Sequence, residues 1–599
     1  MIPSLDFHSL AAAYAGGAAT PSEIAREVVA RIAARGDDGV WISRVLAERL
    51  AAAAAALERL PPDDRGRLPL YGIPFAVKDN IDVEGVPTTA ACPALAYVPA
   101  RTAPCVQRLV AAGALFVGKT NLDQFATGLV GTRSPYGVAR NPFDPAYIPG
   151  GSSSGSAVAV SAGLVSFALG TDTAGSGRVP AGFNNIVGLK PTRGLVGTAG
   201  VVPACRSLDC VSVFALTVAD AARVVDVARG SPGDPEARAM PPGFGVFGEK
   251  PARFKFAVPA MIQREFFGNA DAERLFAAAV ERLETLGGTA VEIDFAPFLE
   301  VASLLYDGPW LAERAAAIDD AVDGRRDVLH PVTRRIVDGA DRITAADVFH
   351  GQDRLAALAQ ATAAVWREND LLLLPTSGTI FSIAEIEAEP VARNAMLGRY
   401  TNFTNLLDLA ALAVPNGFYR NGLPAGITLL APAFHDPLLA AIGAAFQRHA
   451  GLSLGATGAA LPPQDDPAAV PFPYLPLAVF GAHLSGMPLN SELLGLGARL
   501  RRTMRTAPVY RLYVLPDGKR PGLVRRPHDG VAIDLEVWDV PMEAVGTLLA
   551  DIAPPLGLGT IALEDGGAVR GFLCEAHAAG EARDISAFGG WRAWQASRA

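Results

Sequence analysis

Two turns rich in serine and glycine are the places where this sequence could do chemistry. Residues 150–157 read Gly-Gly-Ser-Ser-Ser-Gly-Ser-Ala, and residues 170–178 read Gly-Thr-Asp-Thr-Ala-Gly-Ser-Gly-Arg. Ser152 and Ser176 are 24 positions apart. Such turns present hydroxyls and unpaired backbone N–H groups, and acyl transfer needs both a nucleophile and donors for an oxyanion. If the two turns meet in space, they form a candidate acyl-transfer site.

The first turn also admits three other interpretations. Gly150 and Gly155 have the separation of a phosphate-binding loop, but Ser156 stands where that loop needs a lysine. Residues 151–155 fit the nucleophile-elbow pattern G-x-S-x-G, yet residues 141–145 before them, Asn-Pro-Phe-Asp-Pro, do not form the required strand. A single turn of small residues could simply let a helix pack closely. The second turn of the same kind makes this structural interpretation less favourable.

A serine nucleophile needs a base, and the lysine usage of the chain indicates one. No histidine lies between His8 and His330. Only six of the 52 basic residues are lysines, so arginine carries the ordinary surface charge. Arginine cannot lose its proton, whereas burial can lower the pKa of a lysine by several units. Lys78 ends the apolar run 73–77 and is the candidate base, with an ion pair to Asp79 as the structural alternative.

These motifs resemble those of the amidase signature family. The resemblance spans about residues 20–450. It is carried by Lys78 within Gly-Ile-Pro-Phe-Ala-Val-Lys-Asp-Asn at 72–80, by Gly-Gly-Ser-Ser at 150–153, by Gly-Thr-Asp-x-x-Gly-Ser at 170–176, and by supporting stretches at 118–125 and 188–192.

The resemblance implies a serine–serine–lysine mechanism. Ser176 would be the nucleophile, Ser152 a bridging serine on a cis peptide, and Lys78 the base. A neutral Lys78 amine would take a proton from Ser152, whose hydroxyl takes the proton that leaves Ser176. Ala174 stands where many members have glycine, but its backbone N–H is still available. The oxyanion donors implied are the backbone N–H groups of Thr173, Ala174, Gly175 and Ser176.

The substrate must be inferred from the middle of the chain. Residues 305–314 read as helical, and Tyr306 and Arg314 are eight residues apart, so on one helix they would share a face. Arginine offers a planar fork for a carboxylate, although a surface arginine over a core tyrosine is the plainer interpretation. This segment and the tail resemble the allophanate hydrolase branch of the family. In that branch Tyr306 and Arg314 would hold the carboxylate of a small anionic amide.

The tail strengthens this resemblance. Residues 479–490 resemble the start of the C-terminal domain of the same branch, which is similar to gamma-glutamyl cyclotransferase-like folds. The implied reaction converts allophanate (urea-1-carboxylate) to ammonia and N-carboxycarbamate, which decarboxylates to give two CO2 and two NH3 overall. His483 is the matching candidate for assisting decarboxylation, although a lone histidine after a strand is more often structural.

The elements that must position these residues follow a βαβ rhythm. Short apolar runs alternate with helical patterns, which predicts an α/β fold with a mixed sheet covered by helices, as the resemblance also implies. The stretch 455–476 is rich in Gly, Ala, Pro and Asp and predicts a domain boundary. We expect a catalytic domain at 1–455, a linker at 456–475 and a small β-rich α+β domain at 476–599. The predicted strands are 73–77, 114–118, 371–375, 426–430, 509–514 and 530–538.

Composition limits the partners of the chain. Lys and Arg number 52 against 61 Asp and Glu, and no dense basic run is present, so we expect no nucleic-acid partner. The uncharged stretch 145–171 is interrupted by Gly and Ser and is expected inside protein, not in a membrane. The five cysteines have neither disulfide-framework nor zinc spacing. We expect a cytoplasmic homodimer without a cofactor or metal.

Two other functions compete with allophanate hydrolysis. One is a small-amide amidase of broader specificity or a component of a glutamine amidotransferase, against which the extra tail counts. The other is an inactive amidase-like binding protein, against which the joint presence of Lys78, Ser152 and Ser176 counts.

Overall fold

The structure is a computed structural model that describes residues 4–230, 234, 236–241, 244–463, 474–580 and 582–598. The chain divides into two compact units, and the predicted linker falls near the division. One unit comprises Met1–Ala239 and Val246–Pro467, and the other comprises Met240–Gly245 and Ala468–Ala599.

The larger unit is built on a mixed sheet that contains eleven of the described strands. The strands are β1 Trp41–Arg44, β2 Pro74–Lys78, β3 Leu115–Thr120, β4 Phe167–Asp172, β5 Val187–Lys190, β6 Cys210–Ala215, β7 Phe254–Pro259, β8 Gly288–Ile293, β9 Leu371–Pro375, β10 Leu409–Phe418 and β11 Pro424–Pro432. Their order is β1-β3-β2-β4-β6-β5-β10-β11-β9-β7-β8. The predicted mixed α/β fold and its buried strands at 73–77, 371–375 and 426–430 are confirmed.

Sixteen of the described α-helices belong to this unit. They are α1 Phe7–Ala15, α2 Pro21–Arg35, α3 Ala47–Glu58, α4 Pro62–Gly66, α5 Pro104–Ala111, α6 Ser154–Ser161, α7 Val179–Phe183, α8 Val218–Ala228, α9 Ala270–Thr285, α10 Ala296–Asp307, α11 Trp310–Ala321, α12 Pro331–Asp338, α13 Ala345–Glu368, α14 Ile383–Ala388, α15 Ala392–Gly398 and α16 Asp436–Ala450. No helix in the described part of the chain is long and apolar enough to cross a bilayer.

The position of the candidate site follows from the strand directions. β2 runs parallel to both of its neighbours, β3 and β4. Parallel strands end at the same edge of a sheet, so Lys78 at the end of β2 lies beside the end of β4, where the second serine turn begins. All residues of β2 and β4 are buried, as expected for strands covered on both faces.

The first serine turn leads directly into α6, a helix of small residues. Every residue of α6 is buried, so the helix has no solvent-facing side. A side chain at Gly155 would collide with the backbone of Val40 and Asn121, which is why only glycine fits there. Ser156 donates a hydrogen bond to the carbonyl of Leu169 in β4, which ties the helix to the sheet.

The prediction of one helix through residues 305–314 is wrong. α10 ends at Asp307 and α11 begins at Trp310, with Gly308 and Pro309 between them. Proline has no N–H for a helix interior and its ring clashes with the preceding turn, so the helical pattern breaks there.

The smaller unit is β-rich, as predicted. Its strands are β12 Tyr474–Val479, β13 Arg499–Arg505, β14 Tyr510–Val514, β15 Pro521–Arg525, β16 Asp534–Pro541, β17 Leu556–Ala562, β18 Ala568–Cys574 and β19 Arg583–Asp584, and its helices are α17 Asn490–Gly495, α18 Met542–Ala550 and α19 Trp591–Ala596. They form a sheet of order β13-β16-β12-β18-β17 and a second of order β15-β14-β19. β12 begins at Tyr474, two residues before the predicted start of this domain, and residues 464–473 of the predicted linker lie outside the described residues.

Candidate active site

Lys78 is fully buried and held by hydroxyl groups. Its amine Nζ lies 2.8 Å from Ser152 Oγ and 2.8 Å from Thr171 Oγ1. The side chain has no exposed surface. Asp79, the ion-pair partner considered from the sequence, instead lies 3.3 Å from the amine of Lys119. The structure therefore places Lys78 with the first serine turn.

Burial lowers the pKa of Lys78 to about 7. The carboxylates of Asp123, Asp209 and Asp172 act against this shift, and the guanidinium of Arg314 adds to it. Loss of hydration disfavours the charged ammonium, so burial dominates. At pH 7 about half of the amine is neutral and able to accept a proton.

Ser152 is held by a closely packed backbone. The peptide bond between Gly151 and Ser152 is cis. The carbonyl of Ser152 accepts a hydrogen bond from the N–H of Asp123 at 3.0 Å. A side chain at Gly151 would overlap the Asp123 carboxylate, so glycine is required at that position. The Asp123 carboxylate in turn accepts the N–H groups of Gly131 and Arg133 at 2.9 Å each.

Ser176 lies on a turn fixed by a buried ion pair. Arg178 donates to both carboxylate oxygens of Asp172, at 2.9 and 3.1 Å. Burial alone would raise the pKa of Asp172, but Arg178 and the N–H of Gly177 outweigh burial and hold that pKa below its usual value. A buried carboxylate paired in this way stays charged and orders the turn. Ser176 itself is 2 % exposed.

The predicted oxyanion donors are not equivalent. The N–H of Gly175 donates to Asp172 Oδ1 at 2.8 Å. Across the described residues, the N–H groups of Thr173, Ala174 and Ser176 donate no hydrogen bond. These three N–H groups are therefore the ones free to receive a developing negative charge.

The relay is complete only in its first link. Lys78 is hydrogen-bonded to Ser152, whereas no hydrogen bond joins Ser152 to Ser176 in the part of the chain that the structure describes. Catalytic hydrogen bonds are often long before substrate binds, and the expected relay would need a hydrogen bond between Ser152 and Ser176 in the complex.

Tyr306 and Arg314 meet although they lie on different helices. The Arg314 guanidinium lies 5.7 Å from the centre of the Tyr306 ring. Arg314 is 1 % exposed and donates from Nη1 to Thr127 Oγ1 at 2.9 Å, while its Nη2 has no hydrogen-bond partner among the described residues. Its guanidinium forms no ion pair within the same part of the chain. A buried cation with an unused N–H is suited to bind an anion.

A cavity of about 500 Å³ opens beside Tyr306, and Arg314 is not among its lining residues. Tyr306 and Arg133 line it, whereas Lys78, Ser152 and Ser176 do not. Ala174, in the second serine turn, belongs to a hydrophobic cluster against which Tyr306 packs. The cavity wall and the second serine turn therefore share one core.

The sequence profile of the Amidase family matches residues 23–440, which is most of the larger unit. The chain belongs to the amidase family. The profile of the allophanate hydrolase C-terminal domain matches residues 475–596. Both matches confirm the resemblance inferred from the motifs.

Urea amidolyases and glutamyl-tRNA(Gln) amidotransferase subunits are among the relatives of the chain. Urea amidolyase from Saccharomyces cerevisiae is 41 % identical over 98 % of the chain, and a glutamyl-tRNA(Gln) amidotransferase component from Synechococcus is 34 % identical over 71 % of the chain and 93 % of its own length. The chain spans about a third of the length of the urea amidolyases it matches. The structure of Kluyveromyces lactis allophanate hydrolase superimposes with a TM-score of 0.75, at 39 % identity and over 97 % of each chain.

His483 of the smaller unit lies beside a separate cavity of about 460 Å³. Its ring stacks on Phe572 with centroids 5.5 Å apart, and its Nε2 lies 3.2 Å from Glu492 Oε2. The guanidinium of Arg520 also lines this cavity. The described residues contain no group of three or more His, Cys, Asp or Glu side chains that could hold a metal ion.

Sequence reasoning missed two residues that act on the site. Thr171 binds the Lys78 amine and also accepts a hydrogen bond from Asn80 at 3.2 Å. Thr171 belongs to the same motif as Ser176, at residues 170–176, but the spacing of the motif does not show that the Thr171 hydroxyl faces Lys78. Arg133 shares Thr127 with Arg314, and only the fold brings these distant segments together.

Proposed function

We propose that this amidase hydrolyses allophanate. The observation that carries the proposal is the buried Lys78 amine, with its pKa near 7, hydrogen-bonded to Ser152 beside the turn that holds Ser176. The likeness to Kluyveromyces lactis allophanate hydrolase over nearly the whole chain supports the choice of substrate.

In the proposed mechanism Ser176 Oγ attacks the terminal amide carbonyl of allophanate. Its proton passes through the hydroxyl of Ser152 to the neutral amine of Lys78. The N–H groups of Thr173 and Ala174, with that of Ser176 itself, receive the oxyanion. The proton then returns to the departing nitrogen, which leaves as ammonia, and water cleaves the acyl-enzyme to N-carboxycarbamate.

Tyr306 and Arg314 are proposed to hold the carboxylate of the substrate. The unused Nη2 of Arg314 supports this role, because a carboxylate oxygen would satisfy it. Charge-assisted hydrogen bonds of this kind are about twice as strong as neutral ones. A neutral amide of similar size would leave the buried guanidinium unpaired.

We also propose that the cavity beside His483 takes the second step. N-carboxycarbamate and one proton give carbamate and CO2, and His483 could supply that proton. Glu492 Oε2 lies 3.2 Å from the ring nitrogen Nε2 of His483. The homodimer and the cytoplasmic location expected from the sequence remain predictions, and size-exclusion chromatography with light scattering measures the first.

The test compares ammonia release from allophanate, biuret, malonamide and glutamine. We expect allophanate to be preferred and Ser176→Ala to abolish release. Ser161→Ala is the matched control, because it removes a buried hydroxyl from α6, outside the site, that has no hydrogen-bond partner among the described residues. Preference for glutamine would instead favour the amidotransferase-type function, and no turnover of any amide would favour a binding protein.

A further inference from the structure

The cavity beside Tyr306 is unusually rich in arginine. Its volume of about 500 Å³ is several times that of a small amide. Asp307 is the one acidic residue among its described lining residues. Four arginines line the same cavity: Arg133, Arg335, Arg342 and Arg399. Surfaces normally mix charges of both signs, and like charges that converge repel one another.

Three of these arginines have no acidic partner in the part of the chain that the structure describes. Arg335 and Arg342 form no ion pair there, and Arg399 donates to the backbone carbonyl of Gln263, at 3.3 Å. Neighbouring arginines behave differently, since Arg334 on the same helix lies 3.6 Å from Asp338. The described lining of the cavity therefore carries four arginines against one acidic residue, an excess of positive charge.

The positive charge continues inward to the candidate site. Arg133 is 1 % exposed and donates from Nη1 to the carbonyl of Thr127 at 2.8 Å, while Arg314 donates to the hydroxyl of the same threonine. Arg133 Nε and Arg314 Nη2 both lack hydrogen-bond partners among the described residues. Neither guanidinium forms a direct ion pair among the described residues, and a buried N–H group without a partner is costly unless an anion reaches it.

We propose that Arg335, Arg342 and Arg399 form a cationic vestibule that concentrates small anionic amides in front of Tyr306, whose ring lies against the Arg314 guanidinium. This proposal rests on the proposed function because the vestibule would serve the same site. A cleft lined by one sign of charge attracts the opposite charge over a Debye length and raises its local concentration. Uncharged amides gain nothing from it, so the vestibule adds selectivity before any contact with Arg314.

The experiment uses a pair of substrates that differ in charge but hardly in shape, malonamate and malonamide, together with allophanate. The full-length double variant Arg335→Gln, Arg342→Gln is compared with wild type and with Arg334→Gln. The control, Arg334→Gln, removes an exposed charge from α12, the helix that also carries Arg335. Initial rates give kcat and kcat/KM at about 20 mM and about 500 mM NaCl, where the Debye length falls from roughly 20 Å to roughly 4 Å.

We expect the double variant to lose about tenfold in kcat/KM for malonamate and allophanate at low salt, with kcat nearly unchanged. The loss shrinks at high salt, and malonamide turnover stays within about twofold. Arg334→Gln stays within about twofold on every substrate.

Equal losses on malonamate and malonamide, or an equal loss in Arg334→Gln, would overturn the vestibule. So would undiminished turnover of malonamate by the double variant. Failure of wild type to turn over allophanate defeats the proposed function instead, and the malonamate–malonamide comparison still decides the vestibule. If no amide is turned over, binding of malonamate to the same variants, measured by calorimetry at both salt concentrations, decides it.

Discussion

The protonation of Lys78 should set the acid side of the pH–rate profile. The folded-state pKa is about 7 and the reactive form is the neutral amine. At pH 6 about 9 % of the amine is neutral, and at pH 8 about 91 % is, so kcat/KM should rise about tenfold between these values. Below pH 6 each further unit should cost another factor of about ten.

Malonamide is the substrate for this measurement, because it does not titrate in this range. The pH dependence of kcat/KM then reports groups of the free enzyme. Arg314 lowers the pKa of Lys78, so Arg314→Gln should raise that pKa and move the acid limb toward higher pH. Lys190→Met, which removes another buried amine whose described hydrogen bond goes to the Pro191 carbonyl, should leave the limb in place.

Two results would refute this reasoning. An acid limb near pH 4 to 5 would assign the base to a carboxylate, and a limb near pH 10 would mean that Lys78 is hydrated and normally charged. Movement of the limb toward lower pH in Arg314→Gln would contradict the electrostatic account even if the wild-type limb lay near pH 7.

Three further predictions follow from the same contacts. Arg314→Gln should raise the KM for allophanate by roughly 10- to 100-fold and that for malonamide little, because about 1.5–3 kcal/mol of charge-assisted bonding is lost; equal rises would remove the carboxylate clamp. His483→Ala should spare release of the first ammonia but slow CO2 release, with the exposed His577→Ala as control; loss of the first ammonia would contradict the two-site division. Lys78→Met should stabilise the larger unit by up to about 4 kcal/mol at pH 7, since a pKa lowered from 10.5 to about 7 destabilises the fold. That cost is fully present below pH 7 and disappears as the pH rises to 10.5, so urea unfolding at pH 6 and pH 10 should show a large and then a small difference between variant and wild type.

The parts of the fold that the sequence reveals are those set by local patterns. The apolar run before Lys78 predicts a buried strand, and the scarcity of lysine singles out that residue. The alternating pattern predicts β16 at 530–538, whereas the strand is observed at Asp534–Pro541, an error typical of element boundaries. The prediction of one helix through residues 305–314 overlooks Pro309. A proline at that position is a signal in the sequence that the helix ends there.

Other parts depend on contacts between distant segments. The N–H of Gly175 matches the family motif but is used by Asp172, and no spacing rule reveals that choice. The cationic vestibule combines Arg335 and Arg342, which lie seven residues apart, with the distant Arg399, and neither segment is basic enough to stand out alone. Such convergence is a property of topology, which local periodicity does not encode.

The complete burial of α6 limits how the substrate range of this protein can be changed. Substitutions on that helix, or at Gly151 before it, have no room to expand and will mostly yield misfolded protein. Arg335 and Arg342, by contrast, sit at positions that water already reaches. Mutant libraries aimed at new amides should therefore vary Arg335 and Arg342 and leave Gly151 and the residues of α6 unchanged.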